Sequence, residues 1–182
     1  CEGRLVHAAR MAMAVSASGR PHDAHWAQDR AEIVALAREG IAINRHYRKI
    51  TPVIADELAR WGDWRNATWI WESVLSSRPY VVAILSNAAR GHAQMGDMPG
   101  AWALLHRAQA LQPDAPTVRS LEVVLLAANG QEATAVERAR QALQAGIADA
   151  DLVNAALLLA RRTGDADLER QALARSSQPA RP

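Results

Sequence analysis

The chain has 182 residues, a formal net charge of +2, one cysteine and no Phe. Hydrophobic residues make up 49% and charged residues 22%, which is the balance of a globular protein and excludes a disordered one. The sequence is rich in Ala and poor in β-branched and aromatic residues, so it favours helices and argues against an all-β fold. A single cysteine excludes an intrachain disulfide and a cysteine-based zinc site.

The distribution of charge and hydropathy excludes two further classes of protein. The basic residues are spread along the chain and are not clustered, which argues against a nucleic-acid partner. The sequence contains no run of about 18 apolar residues, so it is not expected to span a membrane. Residues 5–17 are the most apolar stretch near the start, but His7 and Arg10 interrupt it, so it predicts an amphipathic helix and not a signal core.

The first residue of the chain is Cys1 and not methionine. Such a chain is either processed, as a lipoprotein is, or a fragment of a longer protein. A lipoprotein usually continues through a polar tether, whereas helical sequence begins here within a few residues. We therefore expect a fragment.

Residues 1–47 are predicted to form an N-terminal helical extension. Gly19-Arg20-Pro21 breaks the helical pattern, and Asp23 is placed to cap a second helix that runs to about Tyr47. The apolar residues expected to dock this helix on the following region are Trp26, Ile33, Leu36, Ile41 and Ile43.

A regular period runs through the remainder of the chain. Gly62, Gly96, Gly130 and Gly164 are equally spaced. Each follows a helical stretch, where glycine can adopt the left-handed conformation that ends a helix. Small residues share the period and predict close helix contacts: Ala55 with Ala67, Ala89 with Ala101, and Ala135. Bulky residues such as Trp71 and Leu105 fill the space between units, and Pro79 and Pro113 end the second helices.

This pattern resembles the tetratricopeptide repeat (TPR), a 34-residue helix–turn–helix unit that stacks into a right-handed superhelix. We predict an all-α fold with repeats at 48–81, 82–115 and 116–149, a degenerate repeat at 150–177, and a disordered tail at 178–182. The fourth unit has Glu169 where the family has Ala, which suits a terminal capping repeat. Thr51-Pro52 starts the first repeat helix with proline in its first turn.

The sequence shows no catalytic motif, so we expect a chain without catalytic residues, cofactor or metal. His22 and His25 are close together, but no further ligand completes a metal site. Asp56 and Glu57 are adjacent on a helix and point in different directions, which makes them a poor acid–base pair. His92 is expected inside its repeat as a hydrogen-bonded core histidine.

Binding is the natural use of this architecture, because the first helices of successive repeats line a groove for a protein or peptide partner. The lysine and asparagine set with which chaperone-binding relatives hold a terminal carboxylate is absent. Arg90 with Asn87 could hold an anionic group, or the groove could be merely solvated and polar. The register assigns these residues to the groove: Asp56, Arg60, Ser86, Asn87, Arg90, Gln94, Thr117 and Ser120.

Four of the six tryptophans lie within residues 61–71. Trp61 and Trp71 occupy core positions of the repeat, and Trp64 matches an aromatic residue often seen after the turn. Trp69 falls where the repeat normally has a polar surface residue. It is either covered by the N-terminal helices, which we expect, or exposed as a surface for a partner or a sugar ring.

A narrower resemblance rests on TPVIADELARWGDWRNATWIWESVLSSRPYVVAILSNAARG and RAQALQPDAPTVRSLEVVLLAANGQEATA, within residues 51–140. These stretches resemble the C-terminal domain of bacterial O-antigen ligase/polymerase membrane proteins, including protein O-oligosaccharyltransferases. The resemblance implies a periplasmic accessory domain of an inner-membrane protein that binds acceptor protein or glycan, or braces the membrane part. The catalytic residues of that family lie outside this chain.

We therefore predict a protein-interaction module cut from a membrane glycosyltransferase. Two alternatives stay open. The chain could be a free-standing scaffold or adaptor, and then cytoplasmic, or the repeat region of a soluble O-linked glycosyltransferase that lacks its catalytic domain.

Overall fold

The computed structural model describes residues 2–19, 22–43, 49–147 and 149–176. Within these ranges it contains ten α-helices and no strand, in two compact units, residues 1–97 and 98–182. The first unit holds α1 (Glu2–Ala17), α2 (Trp26–Ile43), α3 (Thr51–Arg60), α4 (Trp64–Leu75) and α5 (Val82–Gln94). The second holds α6 (Met98–Leu111), α7 (Pro116–Ala128), α8 (Glu132–Gln144), α9 (Ala150–Thr163) and α10 (Ala166–Ser176).

The four periodic glycines lie in the turns between paired helices. Their φ angles are 82°, 82°, 75° and 72° for Gly62, Gly96, Gly130 and Gly164. Other residues rarely adopt this left-handed conformation, which explains why glycine recurs at this point of every repeat. Gly146 also has a positive φ, of 86°, and it follows α8 just before the position at which the earlier repeats have proline.

Aspartates begin the helices that follow two of these turns. Asp63 accepts a hydrogen bond from the backbone N of Asn66 at the start of α4. Asp165 accepts one from the backbone N of Leu168 at 3.0 Å, at the start of α10. Each carboxylate satisfies a backbone donor that has no partner within its own helix.

In the first unit, α1 packs against α2 and α3, and α2 also contacts α3 and α4. Asp23 precedes α2, and its Oδ1 accepts hydrogen bonds from the backbone N atoms of His25 and Trp26 at 2.9 Å, so it caps the start of the helix. Ile33 and Ile41 are buried, but Ile43 is exposed, so its expected docking role is wrong. It is the last residue of α2, beyond the buried stripe. The predicted end of this helix near Tyr47 and the predicted tail at 178–182 lie outside the described residues.

A polar cluster joins α1 to α3. The hydroxyl of Ser16 donates a hydrogen bond to Oε2 of Glu57, a residue that is buried in the helix interface. The indole Nε1 of Trp61 donates to the same Ser16 hydroxyl at 2.9 Å. Because a buried carboxylate is costly without partners, this cluster restricts how α1 docks on α3.

Helix contacts in the first unit are very close at two glycines. A Cβ atom added to Gly40 of α2 would lie 2.6 Å from Cγ of Leu5, and one added to Gly91 of α5 would lie 1.9 Å from Oγ1 of Thr68. Thr68 is itself buried in α4. These side chains occupy the space that a larger residue than glycine would need.

The second unit has a core shared by α7, α8, α9 and α10. The periodic Ala135 is fully buried there, with Ala139 and Ala142 on the same helix. Ile147, which replaces the proline of the earlier repeats, is also buried in this core. Small residues of α8 therefore meet larger ones of α9, such as Leu152.

We predict that Gly91→Ala lowers the free energy of unfolding by about 1–3 kcal/mol, because the new methyl group overlaps Thr68 in a packed interface. The loss is expected although alanine is the better helix former. Urea denaturation followed by circular dichroism measures it, and Gly91→Ala combined with Thr68→Ala should recover part of the loss.

Gly3→Ala is the matched control, since no atom lies within 4 Å of a Cβ placed at that helical glycine. It should leave stability unchanged or raise it by up to about 1 kcal/mol. Equal effects of the two substitutions would contradict the close approach of α4 and α5.

Ser16→Ala should lower the free energy of unfolding by about 1–3 kcal/mol, since it removes a hydrogen-bond partner from both Glu57 and Trp61. Ser76→Ala serves as the control, because Ser76 is exposed and its hydroxyl donates locally, to the carbonyl of Ser73 at 2.7 Å. Denaturation curves that coincide for the two variants would show that the cluster does not anchor α1.

Candidate functional site

Polar residues of α3, α4 and α5 converge around Asp56 in the first unit. Oδ1 of Asp56 accepts hydrogen bonds from Nε1 of Trp71 at 3.2 Å and from Nδ2 of Asn87 at 3.4 Å. Trp71 is a core residue, so its indole holds the carboxylate from the interior, while Asn87 holds it from the neighbouring repeat. The arrangement fixes an acceptor and an amide side by side on a surface that remains partly open.

The environment of Asp56 also changes its proton affinity. Burial raises the pKa of Asp56, and the nearby negative charge of Glu57 acts in the same direction. The hydrogen bond from Trp71 and the positive charge of Arg60 act against this rise, but the net pKa stays above its ordinary value.

The remaining predicted groove residues of the first unit differ in accessibility. Arg60 is exposed, and its Nη1 lies 3.1 Å from Oε1 of Glu57. Arg90 is half-buried and takes part in a polar or electrostatic interaction within the chain. Gln94 is exposed at the end of α5. Ser86 is only 3% exposed, and its hydroxyl has no hydrogen-bond partner among the described residues.

The two predicted residues of the second unit are Thr117, which is exposed, and Ser120, which is 1% exposed. The hydroxyl of Ser120 donates to Oδ1 of Asp149 at 2.7 Å, so it links α7 to the residue that begins α9. Ser86 and Ser120 occupy the same position of successive repeats. Because both are buried, neither side chain can line a surface groove.

Trp69 is a half-buried residue of α4, and α4 contacts α2. The guanidinium carbon of Arg38 stands 4.6 Å from the centre of its ring, and Nη2 of Arg38 donates to Oδ1 of Asn66 at 3.2 Å. The N-terminal extension therefore covers part of this ring through a cation–π contact. A shallow groove of about 360 Å³ remains open beside it, lined by Arg38, Ile41, Ala42, Trp69, Glu72, Ser73 and Ser76.

His92 is held between two carboxylates. Its Nδ1 lies 2.7 Å from Oδ2 of Asp97, and its Nε2 lies 2.9 Å from Oε1 of Glu72. The side chain is 18% exposed, so it is a hydrogen-bonded histidine at the edge of the core and not fully inside it. Burial lowers the pKa of His92, but the hydrogen bonds and charges of Glu72 and Asp97 outweigh this, and the net pKa is raised.

The described residues contain no group of three or more His, Cys, Asp or Glu side chains placed to hold a metal ion. Among the helices of the described ranges, none is long and apolar enough to cross a membrane.

Known proteins resemble this chain in structure and not in sequence. No family model and no curated protein sequence matches it. The TPR protein TTC0263 of Thermus thermophilus superposes with a TM-score of 0.64 at 15% identity, covering 94% of this chain and 87% of that one. The superposition with MamA covers 100% of both chains, with a TM-score of 0.66 at 10% identity. YrrB, a TPR protein with an unusual peptide-binding site, has a TM-score of 0.58 at 12% identity and covers 91% and 82%.

These neighbours establish the fold. The chain has the TPR fold, and the all-α class and the helix–turn–helix repeat predicted from the regular period are confirmed. At identities of 10–15% these likenesses show the fold alone.

Two features of the first unit were not predicted from the sequence. The stacking of Arg38 on Trp69 joins residues of two different helices, and no local pattern signals it. The pairing of His92 with Glu72 links α5 to α4 and thus joins two successive repeats. The repeat register could have indicated this pairing, because it places His92 in the last turn of α5, a helix that packs on α4.

The raised pKa of His92 predicts a pH-dependent stability. The folded state binds the proton more tightly than the unfolded state does, whose ordinary pKa is 6.5. The stabilisation is therefore complete below the unfolded pKa and is lost as the pH rises through the higher pKa of the folded protein. Thermal unfolding from mildly acidic to mildly basic pH should show His92→Gln less stable than the wild type at low pH, with the difference shrinking above neutrality.

Glu72→Gln and Asp97→Asn provide the control, because each removes one of the charges that raise the pKa of His92. In each of these backgrounds, the stability lost through His92→Gln should depend less on pH than it does in the wild type. A difference that grows with rising pH would contradict a raised pKa of His92 in the folded protein.

Proposed function

We propose that this chain is a non-catalytic interaction module that binds a peptide or protein segment on the surface formed by α3 and α5. The observation that carries the proposal is the hydrogen-bonded set of Asp56, Trp71 and Asn87, which holds polar groups of two successive repeats in fixed positions. Fixed groups lose little conformational freedom when a ligand binds, which favours recognition over a merely solvated surface. The TPR fold supports the proposal, and YrrB is a neighbour with a peptide-binding site.

The chemistry of this surface suits an extended peptide segment. An asparagine side chain can exchange hydrogen bonds with a peptide unit, and Asp56 offers an acceptor to a backbone N–H. Arg90, on α5 one turn after Asn87, would pair with a carboxylate of the ligand. Arg60 and Gln94 extend the surface toward the ends of α3 and α5. Thr117 of α7 is the predicted groove residue of the second unit that is exposed.

The biological setting that we propose is a periplasmic accessory domain of an O-antigen ligase or O-oligosaccharyltransferase membrane protein. The support is the resemblance of residues 51–140 to that family. In this setting the partner would be an acceptor protein, a glycan, or the membrane part itself. A free-standing adaptor has the same fold and would use the same surface.

The sequence encoded upstream of Cys1 separates these two settings. A multi-spanning region of about a dozen apolar segments would support the membrane enzyme. A start codon directly before Cys1, or a lipoprotein signal ending there, would exclude it.

We predict that Arg90→Ala weakens peptide binding about tenfold, which corresponds to the loss of one charge-assisted hydrogen bond. The probe is a fluorescein-labelled peptide enriched from a phage-displayed random dodecapeptide library on the wild-type chain, and fluorescence anisotropy measures its dissociation constant. Helicity and thermal midpoint should change little.

Arg65→Ala is the matched control, since Arg65 is an exposed helical arginine of α4 in the same unit. It should leave the affinity unchanged. Failure of the library to yield any binding peptide, or equal affinities of the wild type and Arg90→Ala for every enriched peptide, would overturn the proposal.

A further inference from the structure

One position in the second helix of the repeat is buried in the first three repeats and exposed in the fourth. Trp71, Leu105, Ala139 and Leu173 follow one another at the repeat interval. The first three are 2%, 0% and 0% exposed, whereas Leu173 is 50% exposed. In those three repeats the second helix packs on the first helix of the next one, as α4 does on α5, α6 on α7 and α8 on α9. Helix α10 packs on α8 and α9, and Leu173 lies at the protein surface.

The residues around Leu173 form one stripe of α10. Ala166, Glu169, Arg170 and Leu173 recur at the spacing of helical turns, so they share a face of the helix. Ala166 and Arg170 are exposed and Glu169 is half-buried. Arg170 pairs with Asp167, and Glu169 lies 4.0 Å from Arg161. Both ion pairs are solvent-accessible and therefore contribute little to stability. Glu169 and Arg170 can exchange these partners for others at a small cost in free energy.

This stripe is complementary to itself when two copies of α10 run antiparallel. A two-fold axis between Glu169 and Arg170 brings Glu169 opposite Arg170 of the second copy, and the reverse pair follows by symmetry. The same axis brings Leu173 opposite the small Ala166 of the second copy. A parallel arrangement would instead bring identical charges together.

We propose that α10 is a homodimerisation surface on which two copies of this chain pack antiparallel through Ala166, Glu169, Arg170 and Leu173. The stripe has an apolar residue beside charged ones, as small protein interfaces do. One helix face buries a small area, so we expect a weak dimer that dissociates on dilution. The proposal is independent of the peptide surface on α3 and α5.

The first test is the mass of the intact chain over a wide concentration range, measured by sedimentation equilibrium. The wild type should shift from monomer to dimer as the concentration rises. Leu173→Asp should remain monomeric over the same range. Leu111→Asp is the matched control, because Leu111 is an exposed leucine of α6 in the same unit and should leave dimerisation unchanged.

The second test exchanges the charges. Glu169→Arg places two arginines opposite two arginines, and Arg170→Glu places two glutamates opposite two glutamates, so each should raise the dissociation constant about tenfold or more. An equimolar mixture of the two variants should dimerise again as a heterodimer. The double variant Glu169→Arg/Arg170→Glu should restore the homodimer.

A wild-type chain that stays monomeric at every concentration would overturn the proposal. So would a dimer that Leu173→Asp leaves intact, or charge variants whose mixture dimerises no better than either variant alone. A peptide-binding affinity that survives in Leu173→Asp would show that the proposed function stands whatever the outcome for the dimer.

Discussion

The close approach of neighbouring helices at very small side chains is the constraint on which the rest of this structure depends. Ala55 and Ala67 are fully buried in the first unit, as Ala135 and Ala139 are in the second. At Gly91 even a methyl group would overlap the neighbouring helix. Helices that lie this close must bury continuous stripes against each other, so most polar groups are confined to the outer faces and to the ends of the helices.

Three polar side chains at helix junctions of the first unit are held by specific partners. Glu57 is bound by Ser16 where α1 meets α3, and Asp56 is bound by Trp71 and Asn87 where successive repeats meet. His92, at the end of α5, links Glu72 of α4 to Asp97 in the turn that follows α5. These clusters specify how each helix docks, and the same immobilisation makes the surface at Asp56 suitable for recognition.

Features set by local sequence patterns can be predicted for this chain, whereas features set by contacts between distant parts of the sequence cannot. The glycine turns, the buried alanines, the cap at Asp23 and the core positions of Trp61 and Trp71 all follow from local patterns. The repeat register assigns Ser86 and Ser120 to the groove. Their burial depends instead on neighbouring helices, and for Ser120 on an aspartate 29 residues away in the sequence.

The sequence by itself determined the repeat architecture, because a regular period of glycine and alanine restricts where helices can end and where they can touch. The tertiary structure decided which polar side chains remain on the surface. It also decided that Arg38 covers Trp69 and that Leu173, unlike its periodic equivalents Trp71, Leu105 and Ala139, is exposed. The physical reason is that burial at a repeat position depends on the helix packed over it, and equivalent positions in the sequence have different neighbours in space.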